Sequence, residues 1–166
     1  MRIETPRLVI RSFSAAEVAD YARIVADPRV TKYLGDGSPH SFEEAQAYLL
    51  DAIDRERATG VARYAVVRKR EGDLIGFCGF RAVEGYVDFG WRYAHHAWGQ
   101  GLGTEAALAV MEYGLQCLHL KTIAAGTFID NVGSLRIIQK LGLPNVAYGE
   151  FFGRRTIRYF QGPVSQ

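Results

Sequence analysis

Trp98-Gly99-Gln100-Gly101-Leu102-Gly103-Thr104 is the stretch that decides how this chain is read. Its three glycines alternate between a strand-like run from Tyr86 to Tyr93 and a helix-like run from Glu105 to Leu118. A strand, a glycine-rich turn and a helix bring successive backbone N–H groups to a helix N-terminus, where they form a cradle for phosphate. Glycine permits the close approach and the positive φ that such a loop needs. The spacing then narrows the ligand. A Walker loop ends in Lys-Ser/Thr, and Thr104-Glu105 provides no lysine. A dinucleotide fingerprint needs glycine where Thr104 stands. Gly-x-Gly alone is also compatible with a helix start that merely turns tightly, so the rest of the chain has to discriminate.

A second motif does so: Asn131-Val132-Gly133-Ser134-Leu135-Arg136-Ile137-Ile138-Gln139-Lys140-Leu141-Gly142. Together the two resemble the GNAT acyl-CoA N-acyltransferases, and within them the branch similar to ribosomal-protein N-terminal acetyltransferases (RimJ/RimL-like). Thr5-Pro6-Arg7-Leu8-Val9-Ile10-Arg11 looks like the first strand of that branch, and Val87-Asp88-Phe89-Gly90-Trp91 like its fourth. The likeness covers nearly the whole chain. It implies one domain over residues 1–166, of α/β (α+β) class. A mixed, mostly antiparallel sheet of about seven strands would be flanked by about four helices. It also implies acetyl-CoA as co-substrate and a primary amine as acceptor, either an N-terminal α-amine or a small-molecule amine. Monomer and homodimer both stay open.

Bulk properties agree with one globular enzyme. The chain has 166 residues, 48% of them hydrophobic, which suffices for a single core. Twenty Lys and Arg against eighteen Asp and Glu are dispersed along the chain, which argues against a dedicated nucleic-acid binder. Arg68-Lys69-Arg70 is the tightest basic run, and with Glu71-Gly72-Asp73 behind it reads as a solvated hairpin end. Cys78 and Cys117 make neither a disulfide framework nor a metal site, and both are expected as reduced core residues. The chain opens on charges, and no run approaches membrane-spanning length, so a soluble cytoplasmic protein without membrane contact is expected.

The elements follow from periodicity and capping. Leu8 to Phe13 alternates like a half-buried strand. Ser14-x-x-Glu17 and Ser41-x-x-Glu44 are capping boxes, opening one helix that stops near Asp27-Pro28 and another that ends at Gly60. The second should bury Phe42, Ala45, Leu49, Ala52 and Ile53. Strands are expected over Arg63 to Arg68, Leu74 to Ala82, Tyr86 to Tyr93 and Lys121 to Phe128, with a closing hairpin around Gly153. The helix after the glycine loop carries few charges and should pack on more than one side. The last helix runs from Ser134 to Leu141.

Each part of an acyl-CoA needs its own partner. The diphosphate suits the amides of Gly99, Gln100, Gly101, Leu102, Gly103 and Thr104, helped by the positive end of the following helix. The pantetheine arm can pair like an extra strand with exposed backbone at Trp91, Arg92 and Tyr93. The resemblance implies that this strand and the next splay apart there. A backbone N–H on the same strand would stabilise the thioester oxygen as it gains charge. Trp98 replaces the Arg or Gln of the general family pattern, and reads equally as a buried anchor beneath the loop. Asn131 and Ser134 are natural helix caps. The resemblance adds that Asn131 contacts the arm and that Ser134 approaches the sulfur, where its hydroxyl would protonate the departing thiolate. The tyrosine acid of many relatives is absent, since Ile138 stands in its place.

The base is less marked. Asp88 matches an acidic position of this branch and reads either as a base or as half of an ion pair. His95-His96 and Glu150 are further candidates, and the glutamate some relatives use falls at Gly126. A weak set of bases favours an α-amine of pKa about 7.7–8 over a lysine near about 10.4. No metal is called for. An acyl-CoA sensor built on the same scaffold would keep the glycine loop as well, so turnover has to separate it from the enzyme. A nucleotide-binding protein would be exposed by competition from NAD or ATP.

Overall fold

A computed structural model describes residues 1–161. The opening segment forms two strands, β1 (Arg2–Glu4) and β2 (Leu8–Arg11). A turn at Thr5-Pro6-Arg7 separates them, closed by the Thr5 N–H donating to the Leu8 carbonyl at 3.0 Å. A 3-10 turn capped by Ser14 leads into α1 (Val18–Val25). Asp27-Pro28, expected only as a stop, also starts a helix. The Asp27 carboxylate accepts from the Arg29 N–H, proline takes the first position where no donor is needed, and α2 (Pro28–Thr31) results. Then come α3 (Phe42–Thr59), β3 (Arg63–Arg68), β4 (Leu74–Val83) and β5 (Tyr86–Tyr93). The chain closes with α4 (Leu102–Gln116), β6 (Ile123–Phe128), α5 (Val132–Leu141), β7 (Asn145–Phe151) and β8 (Arg154–Gln161). Among the described residues, an added strand before the expected first one (β1) and the extra short helix α2 raise the expected seven strands to eight and four helices to five.

All eight strands form one sheet in the order β1-β2-β3-β4-β5-β6-β8-β7. Every neighbouring pair is antiparallel except β5 and β6, which run parallel. Helices α4 and α5 cover one face, over a core that includes Leu8, Val66, Phe80, Phe89, Val110 and Ile138. Helices α1 and α3 cover the other, over Tyr21, Val25, Leu49, Ala65 and Phe77. The two-residue alternation of β5 therefore sends Phe89, Trp91 and Tyr93 to the α4 face, and Asp88, Gly90 and Arg92 to the α1 face.

Two expectations about packing need correction. Phe42 stands half-exposed at the first turn of α3, and Ile53 is only partly buried, so Ala45, Leu49 and Ala52 carry the stripe. Cys117 is exposed at the C-terminal end of α4, while Cys78 is buried and burial pushes its thiol up to about 12. α4 packs on more than one side as expected, with Gly114 against Phe80 of the sheet and Gly103 against Ile137 of α5, and its outer residue Leu108 is half-exposed.

Candidate active site

The parallel pair β5 and β6 touches only at its start, where Val87 faces Ile123 and Asp88 faces Ala124. Beyond that point the strands diverge. The Val87 N–H donates to the Thr122 carbonyl beside β6, whereas the Ala94 N–H donates to the Ile75 carbonyl on the β4 side. Alternation along β5 then aims the main-chain groups of Phe89, Trp91 and Tyr93 into the gap. A groove of about 1200 Å³ follows this gap, lined on β5 by Tyr86 and by every residue from Asp88 to Tyr93. The Tyr93 carbonyl is already taken by the Trp98 indole N–H at 2.8 Å, so Phe89 and Trp91 hold the free carbonyls.

The glycine loop closes one end of the groove. Its helix starts three residues earlier than expected, at Leu102, with Gly101 as cap at φ +77°. Side chains cap α2, α3 and α5 (Asp27, Ser41 and Asn131), but none caps α4. Its first-turn N–H groups therefore face the groove without side-chain partners, in the field of the helix N-terminus. Gly103 serves packing instead: a Cβ there would lie 2.9 Å from the Tyr93 ring and 3.0 Å from Ile137 Cδ1. Of the seven residues of the motif, Gln100 and Leu102 do not line the groove. Leu102 is buried, and the Gln100 side chain turns away to the His96 carbonyl at 2.7 Å. Trp98 is not the buried anchor expected: it is 43% exposed and holds the loop through its indole N–H.

The N-terminal strands staple this loop, a role the sequence did not suggest. Glu105 in the first turn of α4 accepts from Thr5 Oγ1 at 2.6 Å, from the Arg7 N–H at 2.9 Å and from Arg7 Nε at 2.7 Å. Arg7 Nη1 reaches the Gln100 carbonyl at 2.9 Å. Burial alone would raise the Glu105 carboxyl, but the hydrogen bonds from Thr5 and Arg7 outweigh it and hold the group below its usual 4.5.

Asn131 and Ser134 turn out to have different jobs. Asn131 is the cap of α5, its Oδ1 accepting from the Ser134 N–H at 3.2 Å. The Ser134 hydroxyl caps nothing. It accepts from the Trp91 indole N–H at 3.3 Å. Indole is a donor only, so the hydroxyl hydrogen of Ser134 stays free to be given elsewhere.

Asp88 and Ser134 lie on opposite faces of β5. The Asp88 carboxylate pairs with the Arg63 guanidinium, which is buried and also donates to the Gly79 carbonyl; Arg81 stands 4.0 Å away. Gly90 leaves the room this needs, since a Cβ there would come 3.0 Å from Arg63 Nη1. The two adjacent histidines lie outside the groove. His95 packs against Trp98, and His96 sits 3.3 Å from Asp73, both on a smaller cleft of about 600 Å³. Glu150 does line the groove, from β7. So does His40, from the loop between α2 and α3. Burial lowers its imidazole below the usual 6.5, with the Arg92 charge adding to the effect.

Residues 7–144 match the family model described as an acetyltransferase (GNAT) domain. The chain belongs to this family. Among relatives, it is 28% identical over 145 residues to the uncharacterized N-acetyltransferase YnaD of Bacillus subtilis, covering 86% of this chain and 82% of that one. In fold it is similar to a putative GNAT-family acetyltransferase from Bordetella pertussis, with TM-score 0.84, 19% identity and coverage of 98% and 99%. It is also similar to RimL, the ribosomal L7/L12 α-N-protein acetyltransferase in complex with coenzyme A, with TM-score 0.80, 15% identity and 97% of each chain covered. The GNAT chain is thus an acetyltransferase by family, and its fold is shared with the ribosomal-protein branch that its motifs resemble. Among the described residues, no cluster of three or more His, Cys, Asp or Glu could hold a metal ion, and no helix is long and apolar enough to cross a membrane.

Proposed function

We propose that this GNAT chain transfers the acetyl group of acetyl-CoA to a primary amine of low pKa, the α-amine of a peptide or of a small molecule, by direct attack in a ternary complex. The observation that carries this reading is the gap between β5 and β6, which runs straight to the uncapped N-terminus of α4. Main-chain groups at Phe89 and Trp91 suit an extended amide-bearing arm, and the amides from Gly99 to Thr104 suit a diphosphate. Acetyl-CoA supplies an acyl group activated as a thioester.

The residues of the chain then divide the work. The Trp91 N–H, aimed into the gap, stabilises the oxygen that gains charge. The amine nitrogen bonds to the acyl carbon as the carbon–sulfur bond breaks. The amine loses one proton and the sulfur takes one, and the free hydroxyl hydrogen of Ser134 is placed to supply the latter. On the amine side, His40 and Glu150 are the groove groups able to accept a proton, because the Asp88 and Asp130 carboxylates are engaged with Arg63 and Arg154. Neither compels a base mechanism, so catalysis rests on positioning and on amines already partly neutral.

The test is calorimetry with acetyl-CoA followed by thiol release over an amine panel. An α-amine should outrun a lysine side chain, and the rate should climb with the acceptor's own titration above pH 7. Tight acetyl-CoA binding with no turnover on any amine would make the chain a sensor. A lysine-directed activity peaking near pH 7 would overturn the preference.

A further inference from the structure

The α1 face of β5 holds two guanidinium groups in unequal circumstances. Arg63 is buried and has Asp88 as its counter-charge. Arg92, further along the same face, has none: among the described residues no carboxylate stands within ion-pair distance of it. Its Nη1 donates to the Tyr21 hydroxyl at 2.8 Å. Its plane lies over the rings of Tyr48 and Phe77, at 5.3 and 5.4 Å. Its Nε is buried without any hydrogen-bond partner.

Half-burying a cation without a counter-charge is expensive, and two ring faces and one hydroxyl offset only part of that cost. The groove carboxylates do not settle it. Asp88 belongs to Arg63, Asp130 is held by Arg154 at 3.0 Å, and Glu150 makes no ion pair with Arg92. Yet Arg92 lines the groove, one residue beyond Trp91, whose main-chain groups face the acyl site. We propose that Arg92 binds a carboxylate of the acceptor, so that the substrate is an amine that itself carries a carboxylate. The inference rests on the acetyl-transfer reading above.

A carboxylate fits better than a phosphate. The free edge of a guanidinium presents two parallel donors that match two carboxylate oxygens. A phosphate dianion would call for a second cation, and Arg63, the other guanidinium of this face, is taken by Asp88. Arg92 points away from α4, so this anion site is distinct from the diphosphate cradle. Its carboxylate can come from a free amino-acid-like acceptor or from an acidic side chain near a peptide N-terminus.

Matched acceptors decide the matter. Thiol release is measured for amino acids and their carboxamides, and for amidated peptides with Asp or Asn in second place, all compared per neutral amine. The carboxylate member of one series should have a KM about 10- to 100-fold lower. A preference confined to free amino acids or to peptides identifies the source. In Arg92→Met the ratio should fall to within about threefold, with Arg92→Lys between. Turnover is not needed for the second arm, in which the CoA-loaded protein is titrated with N-acetyl amino acids and their carboxamides. Tighter binding of the acids, lost in Arg92→Met, supports the assignment even if no amine reacts and the transfer reading falls. Equal binding of acids and carboxamides by the unmodified protein overturns it, whether or not the variants fold.

Discussion

The two faces of β5 are built on different principles. On the α4 face, the chemistry belongs to backbone: an uncapped helix N-terminus, a gap in a sheet, and a serine hydroxyl oriented by one indole. On the α1 face it belongs to charged side chains that come together only in the fold, with Arg63 from β3, Asp88 and Arg92 from β5, and Tyr21 and Tyr48 from α1 and α3. Backbone chemistry leaves its mark as glycine spacing and cap residues, whereas a side-chain cluster drawn from four elements leaves no local mark. The donor site is thus written in the sequence more openly than the acceptor site.

The sharpest way to break this comparison is Gly101→Val. Gly101 sits at φ +77°, where a branched side chain is strained, although the nearest atom to its Cβ would be Arg7 Nη2 at an ordinary 3.5 Å. Backbone conformation is therefore the thing changed. Acetyl-CoA affinity should fall about 100-fold or more by calorimetry, with the far-ultraviolet circular dichroism retained. A loss below about threefold, some 0.6 kcal/mol, would remove the phosphate cradle from this face.

Next in size is the separation of Asn131 from Ser134. Asn131→Ala deletes the cap of α5 and should cost about 1 kcal/mol of stability. Ser134→Ala should leave the melting temperature nearly unchanged, because its hydroxyl caps nothing, and should lower turnover roughly 10- to 100-fold at constant acetyl-CoA affinity. Turnover equal to that of the parent would take Ser134 out of the proton path. The sequence pointed to both residues but merged their roles. Cap identity depends on where the helix begins, and α5 begins at Val132, two residues before the expected start.

The same limit appears elsewhere in the chain. The succession of elements, the loop and most of the capping were legible because each rests on residues close in sequence. The missed features all depend on distant partners. Arg7 and Glu105 meet across nearly a hundred residues, and Arg92 meets Tyr21 and Tyr48 from two separate helices. One pattern on β5 was readable in hindsight. Asp88 and Arg92 are four apart in a strand, hence on one face, and Gly90 between them leaves space over the sheet.

A smaller effect on catalysis should come from Asp88. Asp88→Ala strands the buried Arg63 guanidinium and should cost about 3–5 kcal/mol, a fall of roughly 10 °C in Tm for a chain of this size. Assayed well below that temperature, kcat/KM should stay within about tenfold of the parent, with a superimposable pH–rate profile. A loss beyond about 100-fold, together with a missing acidic limb in the profile, would move the proton acceptor onto the α1 face and make Asp88 that group.

The smallest effect tests how the α4 face is held. The Glu105 carboxyl lies below its usual 4.5 in the folded chain, because hydrogen bonds from Thr5 and Arg7 outweigh its burial. A depressed folded pKa means stability that is present above the unfolded value and lost as pH falls through the folded one. Glu105→Gln keeps an acceptor but loses the charge facing Arg7. At pH 7 it should lower stability by about 1–2 kcal/mol and, by loosening the Arg7 contact to Gln100, weaken acetyl-CoA binding by about threefold. Below about pH 4.5 the difference in Tm between parent and variant should shrink, since the parent protonates towards the same neutral state. A gap that stays constant down to pH 3 would mean that shape, and not charge, ties the first strands to the glycine loop.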